Sequence, residues 1–252
     1  MKYFFTVLIA TLFWSSCSHD VRVVSVRSPI LQNDTLLRQS NDTFEIVYNL
    51  FDNNGLLSFA IHNKSDVPLY VDWKRSAFIS GTKKYDYWDD KAEIVLVTSG
   101  LSLQWLRAYG STHHLSYGVI SKPEQITFIP PQTTVTMSRF RIAGNLIDTG
   151  LKAQKVNKTY KKGTTTVKVK NYVEDNSPLS FRNFLTLSLK HDFSEEFYVD
   201  HKFWVNEITE MPDRQFNGPT VYVTEENGFV QTGYTYPYAQ PNRFYINLFS
   251  GN

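Results

Sequence analysis

From Thr43 to Ile61 apolar and polar residues alternate, and the alternation breaks once, at Asp52-Asn53-Asn54-Gly55. Phe44, Ile46, Tyr48 and Leu50 share one parity before the break; Leu57, Phe59 and Ile61 share one after it. Successive side chains of a strand point to opposite faces, whereas a helix needs apolar residues three and four apart. The segment therefore reads as two strands, each with one apolar face. Asn-Gly between two such runs is a strong hairpin signal, because a type I′ turn needs positive φ at both central residues. With Asn54 and Gly55 at those positions, Leu50 faces Phe59 and Tyr48 faces Ile61, so both apolar sets lie on one side.

The same rhythm continues down the chain. Residues 63–68 make the next turn, with Pro68 at the mouth of a strand, where a missing N–H does least harm. Leu69, Val71 and Trp73 alternate with Tyr70 and Asp72, and with the hairpin before them they are expected to form a three-stranded meander with one buried face. Ile126 and Phe128 alternate, Pro130-Pro131 interrupts, and Val135 and Met137 resume; Leu185, Leu187 and Leu189 follow, then Phe203 and Val205. Strands recurring about every ten residues are the mark of a sandwich. Helical spacing is weak, with room for one short helix in 99–110 around Leu103, Trp105 and Leu106. Residues 231–249, crowded with Tyr and Pro, read as an irregular crossing and a closing strand at Phe244 to Leu248. The expected fold is all-β, a single antiparallel β-sandwich over residues 43–252.

A second constraint lies at the start of the chain. Met1-Lys2-Tyr3 is a short basic opening, and the eleven residues from Phe4 to Trp14 carry no charge. A membrane-spanning helix needs about 20 apolar residues, while a secretory signal needs only about 7–15. Ser15 and Ser16 are the small residues a signal peptidase prefers, and Cys17, the single cysteine of the chain, follows directly. This arrangement resembles the signal of bacterial lipoproteins. Ser15-Ser16-Cys17 fits the last three lipobox positions, and Trp14 departs from the usual Leu. The resemblance implies a signal peptide at 1–16, a diacylglyceryl group on the Cys17 sulfur and a further acyl chain, such as palmitate, on the new N-terminus. One acyl chain alone holds a protein only marginally, so several are needed for a stable anchor. The mature chain would then have no thiol and no disulfide. Residues 17–42 read as a tether with one peripheral strand at Val21 to Val26. A formal charge of +2 gives no bulk attraction to nucleic acid. The expected location is the bacterial envelope, at the outer membrane.

The run Asn63-Lys64-Ser65-Asp66-Val67-Pro68-Leu69-Tyr70-Val71-Asp72-Trp73, the Ile129-Pro130-Pro131 block and the stretch SFRNFLTLSL at 180–189 resemble a set of Bacteroidota lipoproteins, over about residues 43–211. The resemblance implies an immunoglobulin-like sandwich and an envelope location, without implying a reaction.

Signatures of chemistry are few. There is no nucleophile elbow, phosphate loop, dinucleotide fingerprint or H-E-x-x-H, and no cofactor or metal is expected. His113 and His114 are adjacent, and strand neighbours point to opposite faces, a poor geometry for sharing an ion. Glycosidase carboxylates need no fixed spacing, so an envelope hydrolase stays as a third reading. Residues 85–90 combine three rings with three carboxylates. Exposed, Tyr85, Tyr87 and Trp88 would stack on sugar rings while the acids accept hydroxyl hydrogen bonds; tucked inward, they would close a hairpin end. Tyr234, Tyr236 and Tyr238 share one face of an extended stretch and form a second candidate glycan surface, although Pro237 and Pro241 argue for packing instead. Residues 152–170 hold seven lysines and no acid, with Lys161-Lys162-Gly163 at a hairpin tip. Lys158, Lys161 and Lys162 would either rest on anionic headgroups or keep an edge strand solvated. The chain reads as a lipid-anchored envelope protein with a non-catalytic structural or adaptor role. Its partners would be the membrane, other envelope proteins or glycans, with glycan binding as the second reading.

Overall fold

The computed structural model describes residues 20–89, 93–98, 116–121, 124–147, 149–160, 163–224 and 230–248. In chain order the strands are β1 (Asp20–Arg27), β2 (Leu31–Gln32), β3 (Leu36–Ser40), β4 (Phe44–Asn49), β5 (Leu56–Asn63), β6 (Leu69–Ser80), β7 (Lys83–Asp86), β8 (Glu93–Thr98) and β9 (Ser116–Ser121). They continue as β10 (Ile126–Ile129), β11 (Thr134–Arg141), β12 (Gln154–Tyr160), β13 (Gly163–Asn171), β14 (Ser180–Ser188), β15 (Glu196–Pro212), β16 (Thr220–Thr224), β17 (Val230–Tyr234) and β18 (Arg243–Leu248). One helical turn, α1 (Asp213–Phe216), follows β15.

The fold is an all-β antiparallel sandwich. The larger sheet runs β10-β6-β14-β15-β1-β18, with β7 beside the far half of β6 and the β12–β13 hairpin beside β15. The smaller sheet runs β11-β5-β4-β3-β2, and β8–β9 and β16–β17 are separate two-stranded ribbons. The 17-residue β15 is the spine of the larger sheet. One edge pairs first with β14 and then with β13, and its other edge pairs with β1. Alternate residues fill the space between the sheets. Ile46, Tyr48 and Phe59 come from the smaller sheet and meet Leu185, Leu187, Phe181 and Phe203 of the larger, all essentially without solvent contact. Tyr48 meets Phe203 edge-on at 5.0 Å between ring centres, and Phe181 stacks on Phe203 at 4.9 Å. Burying each such side chain contributes roughly 1.5–3 kcal/mol, which makes this layer the source of the fold's stability.

The stretch after Cys17 is no tether from Asp20 onward, because β1 sits between β15 and β18, and β2 and β3 extend the smaller sheet. Val24 and Val26 join the main core, while Val21 and Val23 face a second apolar cluster on the far side of the sheet. A strand covered on both faces shows a near-continuous apolar run instead of alternation, and Val21-Arg22-Val23-Val24-Ser25-Val26 is such a run. The meander is also drawn differently. β4 and β5 are neighbours, but β6 crosses to the opposite sheet and the meander runs β2-β3-β4-β5. Alternation reports which face a strand buries; it does not report which sheet the strand joins.

The β4–β5 hairpin forms with its register moved by two residues. Tyr48 pairs with Phe59 and Ile46 with Ile61, because the hydrogen-bonded turn is Asp52 to Gly55 (Gly55 N–H to Asp52 carbonyl, 3.2 Å) and not one centred on Asn54-Gly55. A shift of two keeps every side chain on its face, so the buried set is unchanged. β18 and the segment leading into it hold the turn there: the Asn54 N–H donates to the Tyr245 carbonyl at 2.7 Å, and the Leu50 N–H to the Pro241 carbonyl at 2.8 Å. Gly55 has φ +61°, and a Cβ there would lie 2.8 Å from Cγ of buried Phe244. Gly55→Ala is expected to cost about 2 kcal/mol, combining a disfavoured backbone with a clash, as read from the shift in the midpoint of urea unfolding.

Two of the crossings between sheets, β5 to β6 and β10 to β11, lie side by side and are stapled by one side chain. Asn63 is fully buried; its amide nitrogen donates to the carbonyls of Val67 (2.8 Å) and Ile129 (3.0 Å), with that of Pro130 at 3.2 Å. Its amide oxygen accepts from the Ser65 N–H at 3.0 Å. Trp73 donates its indole N–H to the Thr127 hydroxyl at 2.7 Å. The Asn63–Trp73 and Ile129–Pro131 blocks thus hold strand ends together.

Candidate functional site

The aromatic residues proposed from sequence are placed inward or against other rings. Tyr87 is 1% exposed and lies in the main core, so its ring offers no face to a ligand. Tyr85 and Trp88 are half-buried at the edge of that core, and Lys74 covers Trp88 with its ammonium 5.3 Å from the ring. Tyr236 and Tyr238 close the second apolar cluster around Phe216, at 5.4 and 6.0 Å. Tyr234 alone of the three is well exposed. Lys158 stands on the lysine-rich β12–β13 hairpin, with its ammonium 3.5 Å from Glu207. Cys17, Lys161, Lys162, the His113-His114 pair and the 99–110 segment lie outside the described residues.

A different surface gathers exposed rings: the outer face of the larger sheet across β10, β6, β14 and β15. Register places Phe128 beside Tyr70, Tyr70 beside Ser188, and Ser188 beside Glu196, so these residues share the face turned away from the core. Phe128 and Tyr198 are 52% and 57% exposed. The Ile126/Phe128 alternation therefore marks the outside of the sheet, and the buried residue of β10 is Ile129. Phe128 lies 5.7 Å from Tyr70, and Tyr198 stacks on Phe184 at 5.4 Å.

Between these ring pairs runs a network of paired charges, built by a bulge. Asp72 pairs with Thr186 and Ala77 with Phe184, so four residues of β6, 73–76, stand opposite Leu185 alone. The Ser76 hydroxyl donates to the Asp72 carbonyl at 2.6 Å and accepts from the Thr186 N–H at 3.0 Å, which fixes the bulge. Buried Asp72 accepts from the backbone N–H groups of Lys74 and Arg75 through one oxygen and from the Arg75 guanidinium at 2.7 Å through the other. Arg75 also reaches Glu196 and lies over Phe193, 5.0 Å from its ring centre. Tyr198 donates its hydroxyl to Glu196. Hydrogen bonding to Asp72, then to Glu196, pushes the Arg75 guanidinium above its ordinary pKa. The Tyr198 hydroxyl and then Arg75 hold the Glu196 carboxyl below its own. Further along the face, Arg182 grips Asp200 through two nitrogens. Exposed pairs like these add little stability; their effect is to hold planar polar groups still beside the rings.

A second polar arrangement lies inside the core, and the sequence reading missed it. On the apolar parity of β14 and β15, between Phe181 and Leu185 and between Val199 and Phe203, stand Asn183 and His201, which are direct cross-strand partners. The Tyr87 hydroxyl donates to Asn183 Oδ1 at 2.8 Å, and Asn183 Nδ2 donates to the Tyr48 hydroxyl at 2.9 Å. The Tyr48 hydroxyl donates to His201 Nδ1 at 2.7 Å, leaving the N–H of His201 Nε2 to reach Gln39 Oε1. Each of these four hydrogen bonds has one donor and one acceptor if His201 is neutral and protonated on Nε2. Burial lowers the His201 pKa to about 4, against a smaller upward pull from Asp200, and raises the Tyr48 and Tyr87 hydroxyls well above theirs. The signal was visible as polar residues standing at apolar parity on two adjacent strands.

A cavity of about 150 Å³ lies where Ile147, Tyr172 and Ile208 meet Arg22, Lys168 and Glu210. Burial raises the Glu210 carboxyl, but Arg22 (2.6 Å) and Lys168 (3.6 Å) outweigh it and keep the group below its ordinary pKa. Among the described residues no cluster of three or more His, Cys, Asp or Glu side chains is placed to hold a metal ion, and no helix is long and apolar enough to cross a membrane. Comparison with protein-family models, with curated proteins and with solved structures finds no match for the chain.

Proposed function

We propose that the chain is a lipid-anchored protein of the bacterial envelope, held at the outer membrane through Cys17, and that its sandwich works by contact and not by catalysis. The observation that carries the contact reading is the outer face of the larger sheet, where exposed Phe128 and Tyr198 stand beside side chains locked in ion pairs. A patch of exposed rings on a folded protein is characteristic of an interaction surface. The anchor reading is supported by the uncharged run from Phe4 to Trp14 ending at Ser15-Ser16-Cys17. An envelope hydrolase would need two acids facing each other across a cleft; among the described residues lining the 150 Å³ cavity the acid is Glu210, between two cations.

Mass spectrometry of the mature N-terminus, on protein extracted from membranes, tests the anchor. The expected species begins at Cys17 and carries a diacylglyceryl group and an additional acyl chain, and Cys17→Ser is expected to move nearly all of the protein into the soluble fraction. An unmodified Cys17, or a mature chain lacking it, would overturn the reading.

A further inference from the structure

Resting on the contact reading above, we propose that the outer face of the larger sheet, from Phe128 on β10 to Arg182 on β14, is a binding platform for a neutral, hydroxyl-rich polysaccharide. Its charges decide the class of partner. Arg75 is held by Asp72 and Glu196, Arg182 by Asp200 and Lys202 by Glu174. A face whose cations and anions satisfy one another has little net field with which to attract a polyanion or a polycation. What it offers is two kinds of group in fixed positions. Ring faces at Tyr198 and Phe128 suit the C–H faces of sugar rings. Planar guanidinium and carboxylate groups retain donor and acceptor capacity for neighbouring hydroxyls.

The layout is linear. From strand spacing and rise, Tyr70 and Tyr198 lie roughly 12 Å apart across β6, β14 and β15, with the Arg75–Glu196 pair between them. An extended polymer crossing the strands would therefore meet ring, ion pair and ring in turn. A protein partner would have to strip water from these ion pairs, and burying charge is costly even when it is paired. A polysaccharide leaves them partly hydrated.

The test uses the full mature protein in native gels containing xylan, mannan, starch, laminarin or galactan. Retardation by at least one polymer is expected, unchanged when the salt concentration is raised, since screening acts on charged partners. Tyr198→Ala and Phe128→Ala, at exposed positions, are each expected to weaken binding about tenfold or more without changing thermal unfolding, about 1.4 kcal/mol per decade. Tyr234→Ala, exposed on the separate β16–β17 ribbon, should leave it intact. Absence of retardation in all five gels, binding that salt abolishes, or equal binding by Tyr198→Ala would overturn the proposal. So would a photo-cross-linker at position 198 that captures a protein from intact envelopes while the gels show nothing. An acylated Cys17 together with silent gels removes the platform and leaves the anchor; binding by a protein with unmodified Cys17 does the reverse.

Discussion

Asn183→Ala is expected to lower folding stability by about 4 kcal/mol, an effect on the scale of losing a large core side chain. Asn183 is fully buried and links Tyr87 to Tyr48 inside the sandwich. Its removal leaves the Tyr87 hydroxyl with no acceptor, the Tyr48 oxygen without an incoming donor, and a small void. An orphaned buried polar group costs about 1–3 kcal/mol, and the void adds to that. In guanidinium titrations the midpoint should fall at nearly constant m, and for a domain of this size the melting temperature should drop by roughly 8–16 °C. Tyr87→Phe removes a donor and leaves one amide oxygen unpaired, so its cost should be near 1 kcal/mol. If the two variants proved equally mild, the four-bond chain would not be a structural unit.

The second large effect is on acid tolerance. The folded protein holds His201 at a pKa of about 4, below the ordinary value of 6.5. Between those two values the unfolded chain binds the proton and the folded chain does not, so stability falls as pH is lowered. The contribution is complete above about pH 6.5, declines at up to about 1.4 kcal/mol per pH unit and levels off below about pH 4, for a total of about 3 kcal/mol. The geometry gives the reason. A proton on Nδ1 would aim at the Tyr48 oxygen, which already accepts from Asn183 and would be left with its own hydrogen facing the core. The carboxylates held below their ordinary values, Asp192, Glu196 and Glu210, lose their contributions at more acidic pH, which leaves the upper part of the window to His201. Unfolding free energies measured across this range should slope in the native protein and be nearly flat in His201→Gln. Parallel slopes would mean that His201 is already protonated in the folded state.

The parts of this architecture that were legible in sequence are those that depend on parity. The alternations at Phe44 to Leu50, Leu57 to Ile61 and Leu185 to Leu187 identified buried faces correctly, and Tyr160 pairing with Gly163 bears out the lysine-rich hairpin. Partnership between strands was not legible. Leu69 to Trp73 looks like the next strand of a meander, yet the Asn63 staple turns it into the other sheet, through contacts with Ile129 and Pro130 more than sixty residues away. The run from Val21 to Val26 lacks alternation because both its faces are covered. The candidate surface was harder still. Rings close in sequence, at 85–88 and 234–238, drew notice, while Phe128 and Tyr198 come from distant strands and meet only when β10, β6, β14 and β15 lie side by side. The polar residues at buried parity, Asn183 and His201, needed no such assembly to be noticed.

The early start of β1 bears on how the protein would stand at the bilayer. Asp20, already hydrogen-bonded into the sheet between Pro212 and Leu248, is three residues from Cys17, a leash that reaches at most about 10 Å when fully drawn out. If that sulfur carries acyl chains, as proposed, the rim containing Asp20, Pro212 and Leu248 would be held close to the lipid headgroups. Whatever docks on it would then do so at a bounded height above the membrane.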